Sequence, residues 1–554
     1  MKKIIASACM FAAFALAVNA QMDNVVEVEN SYRPTVKDAN KINVLPQIET
    51  PAANHYNVNY TLTPFPTDHY AFEPIWAARN ADLLKPDKKG FFTGAYGSDG
   101  NTLGRIAYGF DLNPDDRLDV EFSTRGHKGD RHSAFDDQPD WESRFFANRL
   151  SLDYVHSFKD TPTSLLISAG LGTNVFNYSN PSPFALMPTD KQHDNLLHAS
   201  VALEALTFGQ FALDAEASYQ GFRQKYPTTF AEKATETLLS ASLRPSYQLN
   251  DQMGIDLDLG VDHASYGIDN VEGYTGFDFT PHFYYNNADF DVKVGAYVNT
   301  EGKIAPDASI VWHAHPMVDI YADATGGEVA QNFHTFSQIS PYWMLCQPLF
   351  DAPTTYPVLM RSWKMSLDNE FDQLRARAGF RLHPINGLSA DLFAGYDIQE
   401  GRAEIADNAD PLFPGTNIFS SDGNHLYAGA AARYTLRDQL TATASARWNH
   451  WTIDDEWEPI AANWRPEIEA EGSILARVWK ELRVGADIRL QTFKGGKAYE
   501  RPTTLNLGAT VSYQLPLGIS IYAKGDNLLG RDYDTYYQYR TAGANFLVGA
   551  AITF

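Results

Sequence analysis

The feature that most constrains this chain is a two-residue alternation that recurs, segment after segment, from about residue 90 to the C-terminus. Over 505–515, Leu505, Leu507, Ala509, Val511, Tyr513 and Leu515 share one parity, while Asn506, Gly508, Thr510, Ser512 and Gln514 share the other. Successive side chains of an extended strand point to opposite faces, so each such segment reads as a strand with one apolar and one polar face. Segments 211–219, 253–261, 290–298, 388–396, 440–448 and 482–490 repeat the pattern. They run to about nine to eleven residues, the length that crosses a bilayer when a strand is tilted.

A soluble sandwich also alternates, and the connections decide between the two. Very short turns centre near 114, 160, 209, 250, 287, 315, 385, 437, 480 and 517, whereas the intervening connections are mostly long, polar and rich in Gly, Pro and Asp. Membrane barrels are built this way, with short periplasmic turns and insertions confined to the external rim. Beside the short turns stand Phe110, Phe158, Phe208, Tyr247, Tyr285, Trp312, Tyr434, Trp479 and Tyr513, as an interfacial aromatic girdle requires. Each hairpin supplies two strands. With one strand near 91–98 before the first and one at 545–554 after the last, the chain predicts an all-β, antiparallel transmembrane barrel of about 22 strands.

Composition removes the competitors. Hydrophobic residues reach 44% and aromatics 13%, too many for a disordered chain, and no apolar run after residue 20 is long enough for a helical span. Two cysteines, Cys9 and Cys346, exclude a disulfide framework or a four-cysteine zinc site, and a formal charge of −24 speaks against nucleic acid as a partner. Lys2 and Lys3, an apolar stretch over 4–18 and small residues at Val18 and Ala20 read as an export signal cleaved after Ala20. Outer-membrane localisation follows, with outer-membrane lipid as a partner.

No nucleophile elbow, zinc-protease or P-loop pattern occurs, so no catalytic residue, cofactor or metal is assigned and an enzyme is not expected. His313 and His315 bracket one residue, but beside a turn they read as interfacial histidines. On the polar faces, Asp214, Glu216, Asp256, Asp258, Asp262, Asp391, Asp397 and Asp487, with Lys293, Arg447, Arg483 and Arg489, are candidates for a hydrated, charge-mixed lumen. Segments 127–142, 327–363 and 400–423 are candidates for solute contact.

The C-terminus carries a resemblance. Ile521-Tyr522-Ala523-Lys524-Gly525-Asp526-Asn527-Leu528-Leu529-Gly530-Arg531-Asp532-Tyr533 and the final Asn545 to Phe554 resemble the closing hairpin of TonB-dependent outer-membrane receptors. Phe546, Val548, Ala550, Ile552 and Phe554 on one face resemble the signal read by the barrel-assembly machinery. The resemblance implies a 22-stranded barrel and transport or binding of a polar solute. It fails upstream: residues 21–89 hold no glycine and seven prolines, from which a plug domain is not expected. The expected organisation is a signal at 1–20, an extended periplasmic segment at 21–89 and the barrel at 90–554. Val25, Val26, Glu27 and Val28 resemble the short segment such receptors offer to TonB. The missing plug favours the alternative of a barrel that anchors an envelope protein complex. It also predicts a lumen obstructed by residues 70–89, by an infolded part of 327–363, or by a partner.

Overall fold

In a computed structural model, residues 89–554 are described, apart from 135–138, 160, 180–190, 226–232, 268–270, 346–364, 367–368, 408–415, 438, 455–460, 463 and 496–498. The export signal, the segment at 21–89 except Lys89, and the TonB-like residues Val25 to Val28 lie outside the described residues.

One sheet dominates. Its 23 strands include the short Trp343–Leu345, which adds in parallel from a loop; the remaining 22 form an antiparallel ring. Gly90–Gly97 pairs on one side with Thr102–Asn113 and on the other with the last strand, Asn545–Thr553, so no edge is left open. Backbone bonds seal the seam: Phe554 N–H donates to Gly90 O at 3.0 Å and Gly90 N–H to Phe554 O at 2.8 Å.

All ten short turns join paired neighbours, from Thr102–Asn113 with Asp116–Arg131 to Thr504–Gln514 with Ile519–Asp526. At Gly387 (φ 85°) a Cβ would sit 2.2 Å from Thr435 O, so this turn admits only glycine. The exposed apolar side chains alternate along each strand, as with Ile255 and Leu259 or Phe277, Phe279 and Phe283, and form the outer wall. Phe208, Trp312 and Trp479 are exposed beside the short turns.

The strands are longer than the alternation suggested. Thr416–Leu436 has 21 residues, and Lys233–Asn250 and Leu388–Ile405 have 18 each. Apolar alternation marks only the part that faces lipid; beyond it the backbone ladder continues without the period, with Ala403, Ile405, Ile418 and Phe419 buried among polar neighbours. Much of segments 127–142 and 400–423 is therefore strand, through Arg131 and from Trp141 in the first, through Ile405 and from Thr416 in the second.

Candidate functional site

The long connection after Val318–Val329 folds into a strap. Asn332 opens it as a helix cap: its side chain accepts from Thr335 N–H at 2.8 Å, and Thr335 Oγ1 accepts from Asn332 N–H at 2.8 Å. The helix Phe333–Ile339 (α1) follows, with the Glu236 carboxylate accepting from the N–H groups of Phe333 and His334 at its positive end. Ser340 ends it, and Pro341 and Trp343 turn toward the wall. Trp343 is fully buried, stacks on Phe333 with centroids 5.3 Å apart, and donates Nε1–H to Gln224 Oε1 at 2.6 Å. Gln224 in turn donates to Pro341 O at 3.2 Å.

The other edge of the strap is tied to different strands. Thr416 N–H donates to Tyr342 O at 2.7 Å, Thr416 Oγ1 lies 3.0 Å from Ser340 Oγ, and Gln331 Nε2 donates to Gly401 O at 2.6 Å. One apolar cluster joins both sides: Phe222 and Ala234, strap residues Phe333, Phe336 and Trp343, then Ala403 and Ile418. The strands from Met253–Tyr266 to Glu370–Ile385 separate Ala234 from Ala403 around the ring. So short a segment reaches both only by crossing inside, which fixes Phe222, Gln224 and Glu236 as inward-facing.

Other connections pack beside it. Tyr342 stacks on Tyr539, centroids 3.5 Å apart and rings 1° from parallel, amid Trp141, Phe176 and Tyr178. Next to this stack a cavity of about 40 Å³ is lined by Arg125, Arg131, Arg540, Trp141, Tyr342 and Tyr539, among others. Around a third cluster, Tyr499 OH donates to Asp534 at 3.0 Å, Tyr537 OH to Asp407 at 2.8 Å, and Arg501 Nη1 to Trp464 O at 2.7 Å. Burial raises the Asp534 carboxyl above its ordinary range and lowers Arg501; the two partly offset each other as neighbours. Arg465, pushed down to about 10 by burial, sits 3.4 Å from the Glu404 carboxylate, which Arg402 also holds.

The residues singled out from the sequence lie mostly elsewhere. Asp256 and Asp258 gather at His282, and Lys293 pairs with Asp307 on the other side of that ring; His282 is absent from that reading although its parity opposes Phe277, Phe279 and Phe283. Ligand atoms of Asp256, Asp258 and His282 lie within 4.8 Å of one another. The imidazole has a carboxylate at each nitrogen: Nδ1 is 2.6 Å from Asp256 and Nε2 2.8 Å from Asp307. Arg244 takes Asp258 and Lys293 takes Asp307 at 3.1 Å, so these carboxylates have cationic partners within the chain. Asp391 is paired with Arg377 at 2.7 Å, Asp397 with His425 at 3.0 Å, Arg447 with Glu469 at 2.8 Å and Arg489 with Glu471 at 2.9 Å.

Asp214 accepts from Ala205 N–H at 2.7 Å, and Glu216 is exposed; Asp262, Arg483 and Asp487 are half-buried. His313 is held by Asp319 at 2.8 Å and Asp291 at 3.1 Å. On the last strand Phe546, Val548, Ala550 and Phe554 are exposed and Ile552 half-buried. The tyrosines of 494–503 and 527–544, now central to the mouth, carried no period to mark them. Only the density of aromatics around 336–343 gave a signal.

No protein-family model and no curated protein matches the chain by sequence. Solved structures match by shape. The FrpB iron transporter from Neisseria meningitidis (F3-3 variant) superposes with a TM-score of 0.65 at 11% identity, over 86% of this chain and 83% of that one. The siderophore receptor PiuA from Acinetobacter baumannii gives 0.57 at 10% identity over 85% and 82%, and the copper transporter OprC gives 0.59 at 11% over 84% and 82%. The barrel thus has the fold of TonB-dependent outer-membrane receptors.

Proposed function

We propose that this barrel binds a polar solute at the outer membrane and passes it inward, with the strap at 331–345 as the element that closes the lumen. The observation that carries the reading is the strap itself: it ties opposite stretches of the ring together across the interior, where an unobstructed ring of this size would be an aqueous channel. Asp214, Glu216, Asp256, Asp258, Asp262, Lys293, Asp391, Asp397, Arg447, Arg483, Asp487 and Arg489 would then line a hydrated path beneath it. The guanidinium and aromatic groups around the cavity beside Tyr342 and Tyr539 suit a small planar anionic group, such as a carboxylate carried by the solute. At about 40 Å³ the cavity admits that group and not a whole solute.

Titration of the purified full chain with small carboxylates and phosphates, read by the fluorescence of Trp141 against a Trp141→Phe control, tests the binding step. Saturable quenching lost in Arg540→Gln supports it, and an unresponsive fluorescence sinks it. A second reading, a barrel that anchors an envelope complex, draws on the glycine-free segment 21–89, whose Val25 to Val28 would pair with TonB or another periplasmic protein. A stoichiometric protein partner co-purified from native membranes favours this reading, and a lone barrel favours the first.

A further inference from the structure

The strap fixes Phe222, Gln224 and Glu236 as inward, so on the same strands Gly221, Arg223, Thr235 and Thr237 point outward. Cross-strand register then arranges the outer wall in rows. Leu150, Leu171, Leu197, Gly221 and Thr237 stand side by side in one row. Asn148, Thr173, Asn195, Arg223 and Thr235 stand in the next row toward the long-loop rim. Along these rows runs a groove of about 620 Å³ that Tyr219 also lines, its hydroxyl 2.8 Å from where a Cβ of Gly221 would sit. Leu171 and Leu197 are exposed below it. Beyond the polar row, Lys225 and Lys233 are register partners and His193 faces the same way.

The charge on this patch runs against the chain. In a protein of formal charge −24, the outward positions of Gln192–Phe208, Phe211–Lys225 and Lys233–Asn250 from the groove to the rim hold cations and no carboxylate among the described residues. Arg223 is exposed and has no hydrogen-bond or ion-pair partner among the described residues. Elsewhere on the outer wall the pattern differs: Lys128 is matched by Glu142 at 3.2 Å. An unmatched guanidinium with amide and hydroxyl neighbours, set directly above aliphatic side chains, has the layout of a lipid: phosphate on top, acyl chains beneath.

We propose that this groove holds a phosphate-bearing lipid of the outer leaflet, its phosphate on Arg223, Asn195 and Thr235 and its acyl chains along Leu171 and Leu197. The inference rests on the barrel's placement in the outer membrane but not on any transport role.

The test reconstitutes the full chain in phosphatidylcholine nanodiscs doped with bis-phosphorylated lipid A and counts retained lipid A by native mass spectrometry. Wild type is expected to retain lipid A in preference to a neutral glycolipid of equal chain length. Arg223→Gln should weaken retention about fivefold, the effect of roughly one charge at a membrane surface. Lys128→Gln, on the matched part of the wall, should leave it unchanged. Equal retention by Arg223→Gln, equal loss in Lys128→Gln, no preference over the neutral lipid, or a protein held on this face in place of lipid each overturns the proposal. A heat-modifiable gel shift in every variant confirms that the barrel is folded, so that lost retention is not lost structure.

Discussion

The mouth of the barrel and its wall solve different problems with the same chain. At the mouth, connections cross the lumen and are held as in a soluble protein: Trp343 and Phe333 are 0% exposed, and buried Gln224 and Glu236 anchor the backbone around them. In the wall, the backbone ladder already fixes every strand, and a polar-face pair such as Lys293 and Asp307 is part-solvated, its side chains 40% and 23% exposed. Burial of a large aromatic contributes several times what a part-exposed ion pair does. The mouth is therefore held by its side chains, whereas the wall only tolerates its own.

That contrast breaks most visibly if the strap is removed. Replacing residues 331–345 with a Gly/Ser run of equal length should turn a barrel with little conductance into one with large, steady single-channel steps, while its heat-modifiable gel shift survives. Unchanged conductance would mean that something other than the strap closes the lumen. A single change tests the same core: Trp343→Ala removes a buried indole and its bond to Gln224, and should cost the strap about 3–5 kcal/mol. Hydrogen exchange of 331–345 should accelerate accordingly, with the wall strands unaffected.

Glu236→Gln keeps the size of the side chain but exchanges one acceptor oxygen at the start of α1 for an amide donor, at a cost of about 1–2 kcal/mol in the same exchange measurement. In the wall, Lys293→Ala should change the unfolding temperature little, since an exposed pair contributes about 0–1 kcal/mol. A loss as large as that of Trp343→Ala would erase the distinction between mouth and wall.

The smallest effect is a pH dependence. His334, on α1, is pushed down to about 4 by burial, with Arg149 and His198 adding to the shift. A folded pKa below the unfolded value means the neutral ring is the folded form. Its contribution is complete above the ordinary histidine range and falls away as pH drops from about 6.5 toward 4. Exchange of the strap should quicken over that window in wild type and not in His334→Phe.

The ring was legible because each lipid-facing residue must be apolar and each neighbour is free to be polar, so the bilayer itself writes the period into the sequence. Ten short turns and a closing strand near 545–554 followed from the same logic. Strand ends beyond the membrane were not legible: Asp116–Arg131 continues through His127, and Leu388–Ile405 through Arg402, where water or loops meet both faces and no period survives. Nor was His282, whose role exists only because Asp256 and Asp307 arrive from two other strands.

By itself, then, the sequence determined the number and direction of the strands and the side of each that meets lipid, since those depend on residue type at fixed spacing along one strand. The tertiary structure alone decided what crosses the mouth. Glu236 meeting Phe333, Gln224 meeting Trp343 and Tyr342 meeting Tyr539 join residues roughly a hundred or more positions apart, and such pairings depend on ring closure bringing distant strands within reach of one loop.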